Sequence, residues 1–318
     1  MDYDVIGDLH GQADKLEQLL HTLGYRDIRG AWRHPGRQAV FVGDYIDRGP
    51  AQLRCVDTVR RMVDAGSAQA ILGNHELNAM AWHTPDANAP GEFLRPHHRQ
   101  PWGDRNRRQH AAFLAEVEHA PARHAEVIDW FMTLPLWLEL PGLHIVHACW
   151  HRPMIDWLRG QLRDGCCLSP DLLPHATQRP AEISGAEPFT LFEAVETLTK
   201  GIEVQLPDTH SFKDKDGIER HNVRVRWWDP NTTNFRAAAL MPEADRAALP
   251  ELPLPAGARP PLERTPVFFG HYWLTGTPAP LSASAACVDY SAGKGGALVA
   301  YRFSGETTLD AGHFVAVA

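Results

Sequence analysis

No stretch of this chain approaches the roughly 20 consecutive apolar residues that a membrane helix needs. The first apolar run starts at Tyr3 and breaks at Asp8, without the basic start and longer apolar stretch of a secretory leader. Cysteine is scarce. Cys55, Cys149, Cys166, Cys167 and Cys287 are odd in number and show no C-x-x-C spacing, so a reduced, cytoplasmic chain is expected. A basic balance is missing too. The formal net charge is −8 and the pI about 6.1, so neither a nucleic-acid nor a membrane partner is expected. There is no long internal repeat and no clear linker between two cores. What remains is an ordinary globular composition, 44% hydrophobic and 22% charged, over 318 residues. One domain, 1–318, with insertions at about 77–135 and 151–222, is expected.

What is present is a repetition of a different kind. Five short apolar runs each end on residues that bind metal ions. VIGDLHG ends in Asp8 and His10. AVFVGDYIDRG carries Asp44, Asp47 and Arg48. AILGNHE carries Asn74, His75 and Glu76. HIVHACW carries His147, and VFFGHYW carries His271. A strand that stops at a turn places the next side chain at the rim of a sheet. Five such rims side by side gather carboxylates, imidazoles and one amide. That N/O set suits Mn, Fe, Zn, Co or Ni rather than a thiolate-held structural zinc.

Periodicity supports the rims. Residues 2–7 read as a buried strand. Leu16, Leu19, Leu20 and Leu23 then repeat at helical spacing over 12–23, with Gly24 as the stop. Residues 38–42 form a second strand, 52–65 a second helix stopped by Gly66, and 69–72 a third strand. This β-α-β-α-β opening predicts an α/β fold with a parallel core and right-handed crossovers. Residues 84–108, rich in Pro, His, Arg and Asn, read as a loop or cap. Residues 109–134 read as mostly helical, interrupted at Pro121. Between 151 and 222 only a short helix near 192–199 is expected. The stretch 213–217 reads as a tight turn, 222–228 as a strand and 242–264 as a surface connector. Strand signals return at 143–147, 266–270, 286–290, 297–303 and 313–317.

On an extended segment, residues two apart point the same way, so Asp8 and His10 can address one ion. Asp44 can share oxygens between two ions, and Asn74, His147 and His271 can complete the second site. Such pairs lie about 3.5–4 Å apart and generate a hydroxide nucleophile near neutral pH. Their positive charge attracts a phosphoryl group to an otherwise acidic chain. The Arg48 fork suits phosphate oxygens, although pairing with Asp47 is a plainer role. His75, held and charged by Asp47, is placed to protonate a leaving oxygen. Glu76 is expected to orient the loop.

GDLHG at 7–11, GDYIDRG at 43–49 and GNHE at 73–76, followed by His147 and His271, resemble the calcineurin-like metallophosphoesterase superfamily. The intact GDYIDRG and GNHE resemble its phosphoprotein-phosphatase branch, which holds serine/threonine phosphatases and symmetrical diadenosine tetraphosphatases. The resemblance implies metal-ligand roles for Asp8, His10, Asp44, Asn74, His147 and His271. It implies proton donation by His75 with Asp47, and phosphate binding by Arg48 with Asn74. It also implies a fold of two mixed β-sheets packed as a sandwich, flanked by helices, with a helical or loop cap insertion. TrpAspPro at 228–230 is similar to a segment of the serine/threonine phosphatases, and Arg236 is the candidate for a second phosphate-binding arginine. Residues 287–302 are similar to the ending of the tetraphosphatases, where Lys294 is a further phosphate candidate.

Two departures stand out. Trp273 replaces the last His of the superfamily's Gly-His-x-His ending, in keeping with the branch. Ala148 and Cys149 replace the Gly-Gly that follows the branch's histidine. His97, His98, His110, His119, His124 and His175 read as polar or helical surface, and the tryptophans as packing. The reading is a two-metal phosphoesterase acting on a phosphorylated small molecule, nucleotide or phosphoprotein, with Mn as the first choice of ion. The alternatives are a symmetrical dinucleoside tetraphosphate hydrolase and, from another class, a metal-free binding or scaffold protein retaining the fold.

Overall fold

Tyr3 and Val5 face one core and Ile6 another, so the first strand is buried on both faces from Tyr3 to Ile6. In the computed structural model, residues 2–162, 165–180, 187–208, 210–213 and 219–318 are described. The strands Asp2–Ile6, Arg37–Phe41 and Ala68–Ala70 run parallel, with Val5 opposite Val40. Helix α1 (Ala13–Leu23) connects the first to the second region, and α2 (Gln52–Asp64) the second to the third. Gly24 closes α1 at φ 98°, a left-handed position that suits glycine. Ala297–Phe303 pairs antiparallel with Asp2–Ile6, and Asp289–Tyr290 and Phe314–Val317 both pair with it to complete a six-stranded mixed sheet.

The second sheet has four strands in the order Ala285–Cys287, Val267–Phe269, Leu143–Val146 and Trp137–Leu140. The first three are parallel and the last is antiparallel. Val5, Val40, Val42 and Ile71 from the first sheet pack against Ile145, Phe268, Ala286 and Val288 from the second. Opposite faces carry the helices, where Ile6, Phe41 and Leu72 join Leu16, Val56 and Met80. The chain therefore has the expected sandwich of two mixed sheets flanked by helices. A smaller apolar cluster of Val204, Val223, Val225, Phe235 and Leu249 lies under residues 202–258.

Several local expectations change. Helix begins at Trp102, so the loop spans 84–101 and α4 is Trp102–Val117. Its buried stripe includes Asn106 and His110 beside Phe113, Leu114 and Val117. A half-polar stripe breaks the apolar period that identifies helices in sequence. After α3 (Asn74–His83) and α4, α5 (Pro121–Phe131) starts with proline at its first position. The opaque region 151–222 holds α6 (Arg152–Gln161), α7 (Leu173–Thr177) and α8 (Leu191–Lys200). The expected strand at 222–228 is only Asn222–Arg224, paired with Glu203–Gln205. The connector at 242–264 contains a short helix, Glu243–Arg246. Of the expected turn at 213–217, residues 214–217 lie outside the described residues. His110 and His124, expected at the surface, are buried at 3% and 8% exposure.

Candidate active site

Five parallel strands deliver the site. Asp8, Asp44, Asn74, His147 and His271 each follow the C-terminal end of one of them, where α/β proteins place ligands. The backbone there is bent hard. His10, Asp44, Asp47, Arg48, His271 and Trp273 all have φ between 44° and 84°. Left-handed geometry is uncommon for residues with a Cβ, and its concentration here marks a functional region. His10 therefore follows Asp8 through a left-handed turn rather than in the extended alternation that the sequence suggested. Gly270 allows close approach, since a Cβ on it would lie 1.9 Å from Asp8 Oδ1.

Of the six proposed metal ligands, His10, Asp44, His147 and His271 fall in candidate ligand clusters, Asn74 bonds His147 and His271, and Asp8 belongs to neither cluster but bonds the His271 backbone. Asp8 Oδ2 accepts from the His271 backbone N–H at 2.9 Å, although 263 residues separate the two. His10, Asp44 and His75 form one cluster of candidate ligands, and Asp44, His147 and His271 form another, so Asp44 belongs to both. His147 Nδ1 donates to Val42 O at 2.7 Å, and His10 Nδ1 to Ile46 O at 2.9 Å. Each ring thus keeps Nε2 as its lone-pair nitrogen, the usual way that an imidazole is prepared for a metal. His147 Nε2 lies 3.3 Å from Asp44 Oδ1, and His10 Nε2 lies 3.7 Å from Asp44 Oδ2. Asn74 Oδ1 lies 2.7 Å from His271 Nδ1 and 3.2 Å from His147 Nε2.

Electrostatics shows what this cluster requires. Burial, with the Asp289 and Asp44 carboxylates nearby, pushes the Asp8 pKa well up. Burial raises Asp289 to about 6 and, with Asp44, raises Glu76 to about 7. Burial also works against the Asp44 charge, but His147, His75 and His10 hold its carboxyl well below the usual range. His10 falls to about 4, chiefly through burial and the His75 charge. Asp8 Oδ1 and His10 Nε2 are buried with no hydrogen-bond partner. Such orphaned acceptors among crowded carboxylates are costly without a cation. The donor set fits divalent ions.

Around the cluster lies the proposed phosphate machinery. His75 Nδ1 bonds Asp47 Oδ2 at 2.5 Å. Burial lowers the His75 pKa, but Asp44 and Asp47 outweigh it and hold it above its ordinary value. Glu76 accepts from the backbone N–H groups of Asp44 and Tyr45, both at 2.8 Å, and of Gly73 at 3.1 Å. It ties the Asp44 turn to the start of α3. Arg48, Asn74, His75 and His271 line one pocket of 200 Å³. Arg48 lies over the Trp273 ring at 5.6 Å, and that ring stacks on His10 at 4.8 Å.

Two substrate candidates sit differently. Lys294 lies 3.9 Å over the Trp273 ring and is not among the residues lining the 200 Å³ pocket. Arg236 is turned away: it bonds Leu249 O and Glu251 and lines a separate pocket with Glu243 and Arg246. Its helix, Phe235–Ala238, packs into the smaller apolar cluster, and Arg236 is not among the residues lining the 200 Å³ pocket. Arg224 instead approaches the site, with Nη1 3.3 Å from His271 Nε2. Sequence reading missed Arg224, His110 and Asp289. His110 Nδ1 bonds Asp47 Oδ1 at 2.9 Å. Asp289 accepts from the Trp273 and Ser291 backbone N–H groups at 2.6 and 2.9 Å. Asp289 lies inside the 287–302 segment, whose resemblance was the available signal. His110 and Arg224 carried none.

The family model for calcineurin-like phosphoesterases matches residues 1–170. The asymmetrical bis(5'-nucleosyl)-tetraphosphatase PrpE of Halalkalibacterium halodurans is 46% identical over 76 residues, 24% of this chain and 31% of that protein. PrpE of Oceanobacillus iheyensis is 45% identical over 76 residues, again 24% of this chain and 30% of the relative. The matched segment thus spans about a third of the length of these relatives. A cold-active protein-tyrosine phosphatase of a psychrophilic Shewanella species is 15% identical, over 94% of this chain and 75% of its own, with a TM-score of 0.46. With the matched region covering more than half of its length, this chain belongs to the calcineurin-like phosphoesterase family.

Proposed function

We propose that this chain is a metal-dependent phosphoesterase. Asp8, His10, Asp44, Asn74, His147 and His271 hold two divalent ions, Mn in the first instance and otherwise Fe, Zn, Co or Ni. The observation that carries this is Asp44, shared by two candidate ligand clusters beside the unpartnered Asp8 Oδ1. When bound, such ions supply Lewis-acid stabilisation of phosphoryl oxygens and activate water near neutral pH. The protein supplies the rest. Arg48 clamps non-bridging oxygens with its guanidinium fork. His75, with Nδ1 committed to Asp47, presents Nε2 to the leaving oxygen and donates a proton to it. Trp273, stacked on His10, keeps that ring fixed and one wall of the pocket dry.

The first substrate reading is a phosphomonoester. A dinucleoside tetraphosphate is the second, favoured by the PrpE likeness and by the resemblance at 287–302. The ending at 287–302 favours symmetrical cleavage, whereas the PrpE relatives are asymmetrical enzymes. One experiment separates these readings. Mn-loaded protein is assayed on p-nitrophenyl phosphate, phosphoserine peptide and diadenosine tetraphosphate, with nucleotide products resolved. Two ADP indicate symmetrical cleavage, and ATP with AMP asymmetrical cleavage. Turnover of none of the three, with metal bound, rejects the phosphoesterase. A chain that binds no metal supports the scaffold alternative. No described helix is long and apolar enough to cross a membrane.

A further inference from the structure

Arg95 is an unusual cation. Its Nη1 donates to Asn78 Oδ1 at 2.6 Å and its Nη2 to Gln109 Oε1 at 2.7 Å. Both acceptors are neutral amides. Among the described residues no carboxylate lies within 4.0 Å of its guanidinium. The acids that act on it from further off are Asp47 and Glu196. Both are already engaged: Asp47 by His75 and His110, and Glu196 by Lys200. Burial pushes the Arg95 pKa down to about 10, so it remains charged at neutral pH. A partly buried, charged guanidinium without a counter-ion is costly. The amide oxygens fix the fork and leave its charge for a ligand.

Its position says which ligand. Asn78 lies one turn of α3 beyond Asn74 and His75, about 5.4 Å along the axis. Asn78 and Arg95 line the 200 Å³ pocket that holds His75 and Arg48. They also line the neighbouring cavity of 780 Å³. That cavity adds Arg99, Arg179 and Lys200, and two aromatic rings, Trp102 and Phe192. Arg179 lies over the Phe192 ring at 5.3 Å, and Trp102 is 48% exposed. Lys200 is paired with Glu196 of the same wall, so Arg95, Arg99 and Arg179 make the lining net basic, against the acidic balance of the whole chain. The loop that brings Arg95 here is tied down, because Leu94 N and Arg95 N bond Thr84 O and Ala81 O at 3.0 Å.

We infer that Arg95 is a second anion-binding subsite, which takes a phosphate beyond the one being cleaved and directs the organic end of the substrate into the cavity of Trp102 and Phe192. The ligand class is a nucleoside oligophosphate. This rests on the phosphoesterase reading and names the substrate class of the same site.

The test is binding, measured by calorimetry on Mn-loaded protein with two probes. Inorganic phosphate occupies one subsite. The β,γ-methylene analogue of ATP spans two. In the wild type the analogue binds at least tenfold more tightly than phosphate. Arg95→Gln weakens the analogue at least tenfold and phosphate less than threefold, with an unchanged Tm. Arg95→Lys, which keeps the charge but loses the fork, falls between. Equal weakening of both probes, or of neither, overturns the inference. So does a wild type that binds phosphate but gains nothing from the longer analogue, although the phosphoesterase reading then stands. A wild type that binds neither overturns both. Should Arg95→Gln lower the Tm, Arg95→Lys and a Trp102→Ala variant carry the test. Loss of analogue binding must then appear in one of them without loss of phosphate binding.

Discussion

His110 holds Asp47 from the side opposite His75. Its Nδ1 donates to Asp47 Oδ1 at 2.9 Å, while Oδ2 takes His75 Nδ1 at 2.5 Å. Burial works against the Asp47 charge, but the two histidines hold the carboxyl below its usual range. One carboxylate with both oxygens committed cannot swing, so the His75 ring is held at a single angle. His110→Ala is expected to lower kcat on alkyl phosphates about tenfold, a fraction of a general acid's usual contribution. KM should stay within about twofold. His110→Asn restores an N–H near the Nδ1 position and is expected to recover most of the loss. Equal loss on p-nitrophenyl phosphate, whose leaving group needs little protonation, makes His110 merely a packing residue.

Asp44 and His75 separate ligand from acid. Asp44 belongs to both candidate clusters, so Asp44→Asn should empty both sites. Metal content by elemental analysis should fall sharply. Activity should fall by more than the roughly 10–100-fold that follows loss of a group orienting a ligand. His75 Nε2 lies 3.9 Å from Asp44 Oδ2 and is itself a candidate ligand. His75→Asn is expected to keep its metal and to slow poor leaving groups most. Loss of an ion in His75→Asn would make His75 a ligand and leave the leaving group without its proposed acid.

His124 gives the fold a pH dependence away from the site. It is 8% exposed, its Nε2 has no partner, and its ring centroid lies 4.5 Å from that of His83. Burial, then the charges of His83 and His110, push its pKa down to about 4. The unfolded chain titrates this ring near 6.5, so between the two values the unfolded state binds more protons. Stability is full above pH 6.5 and is lost as pH falls from 6.5 through 4, by at most about 3 kcal/mol and by about 2 once solvent screening of the partly open ring is allowed for. Urea titrations of wild type and His124→Phe at pH 7.5 and 4.5 should differ by that amount in their pH sensitivity. Equal slopes would show that the ring is hydrated in solution.

Phe268 tests the inter-sheet layer. It is fully buried and packs on Tyr301 and Phe303 of the opposite sheet, with ring centroids 4.9 and 5.9 Å away. Phe268→Ala should cost about 3–5 kcal/mol, read from the urea midpoint. A cost below about 1 kcal/mol would mean that the two sheets close over the gap.

The strand-turn runs were legible because two local rules coincide in them. Residues such as Tyr3-Asp4-Val5-Ile6 face a core on both sides, and the turns that follow need glycine or a short polar side chain. Of the helices in 151–222, α8 was expected, but α6 and α7 were not legible, because each has a proline in its first turn and a short buried face, as with Met154, Ile155 and Leu158. α4 hid for another reason. Its inward face spends Asn106 and His110 on hydrogen bonds to Pro96 O and Asp47, where an apolar period would have been visible.

The amino-acid order by itself determined the six proposed ligands, the His75–Asp47 pair and the α/β class, since each is a local pattern of donor type, spacing and periodicity. Only the folded chain decided which distant groups serve that cluster. His110, Arg95, Arg224 and Asp289 reach it across separations such as the 63 residues between Asp47 and His110. It also decided that Arg236, attached to the smaller apolar cluster, does not line the pocket. Contacts of that kind carry no sequence spacing, because packing between elements rather than the path of one element brings the groups together.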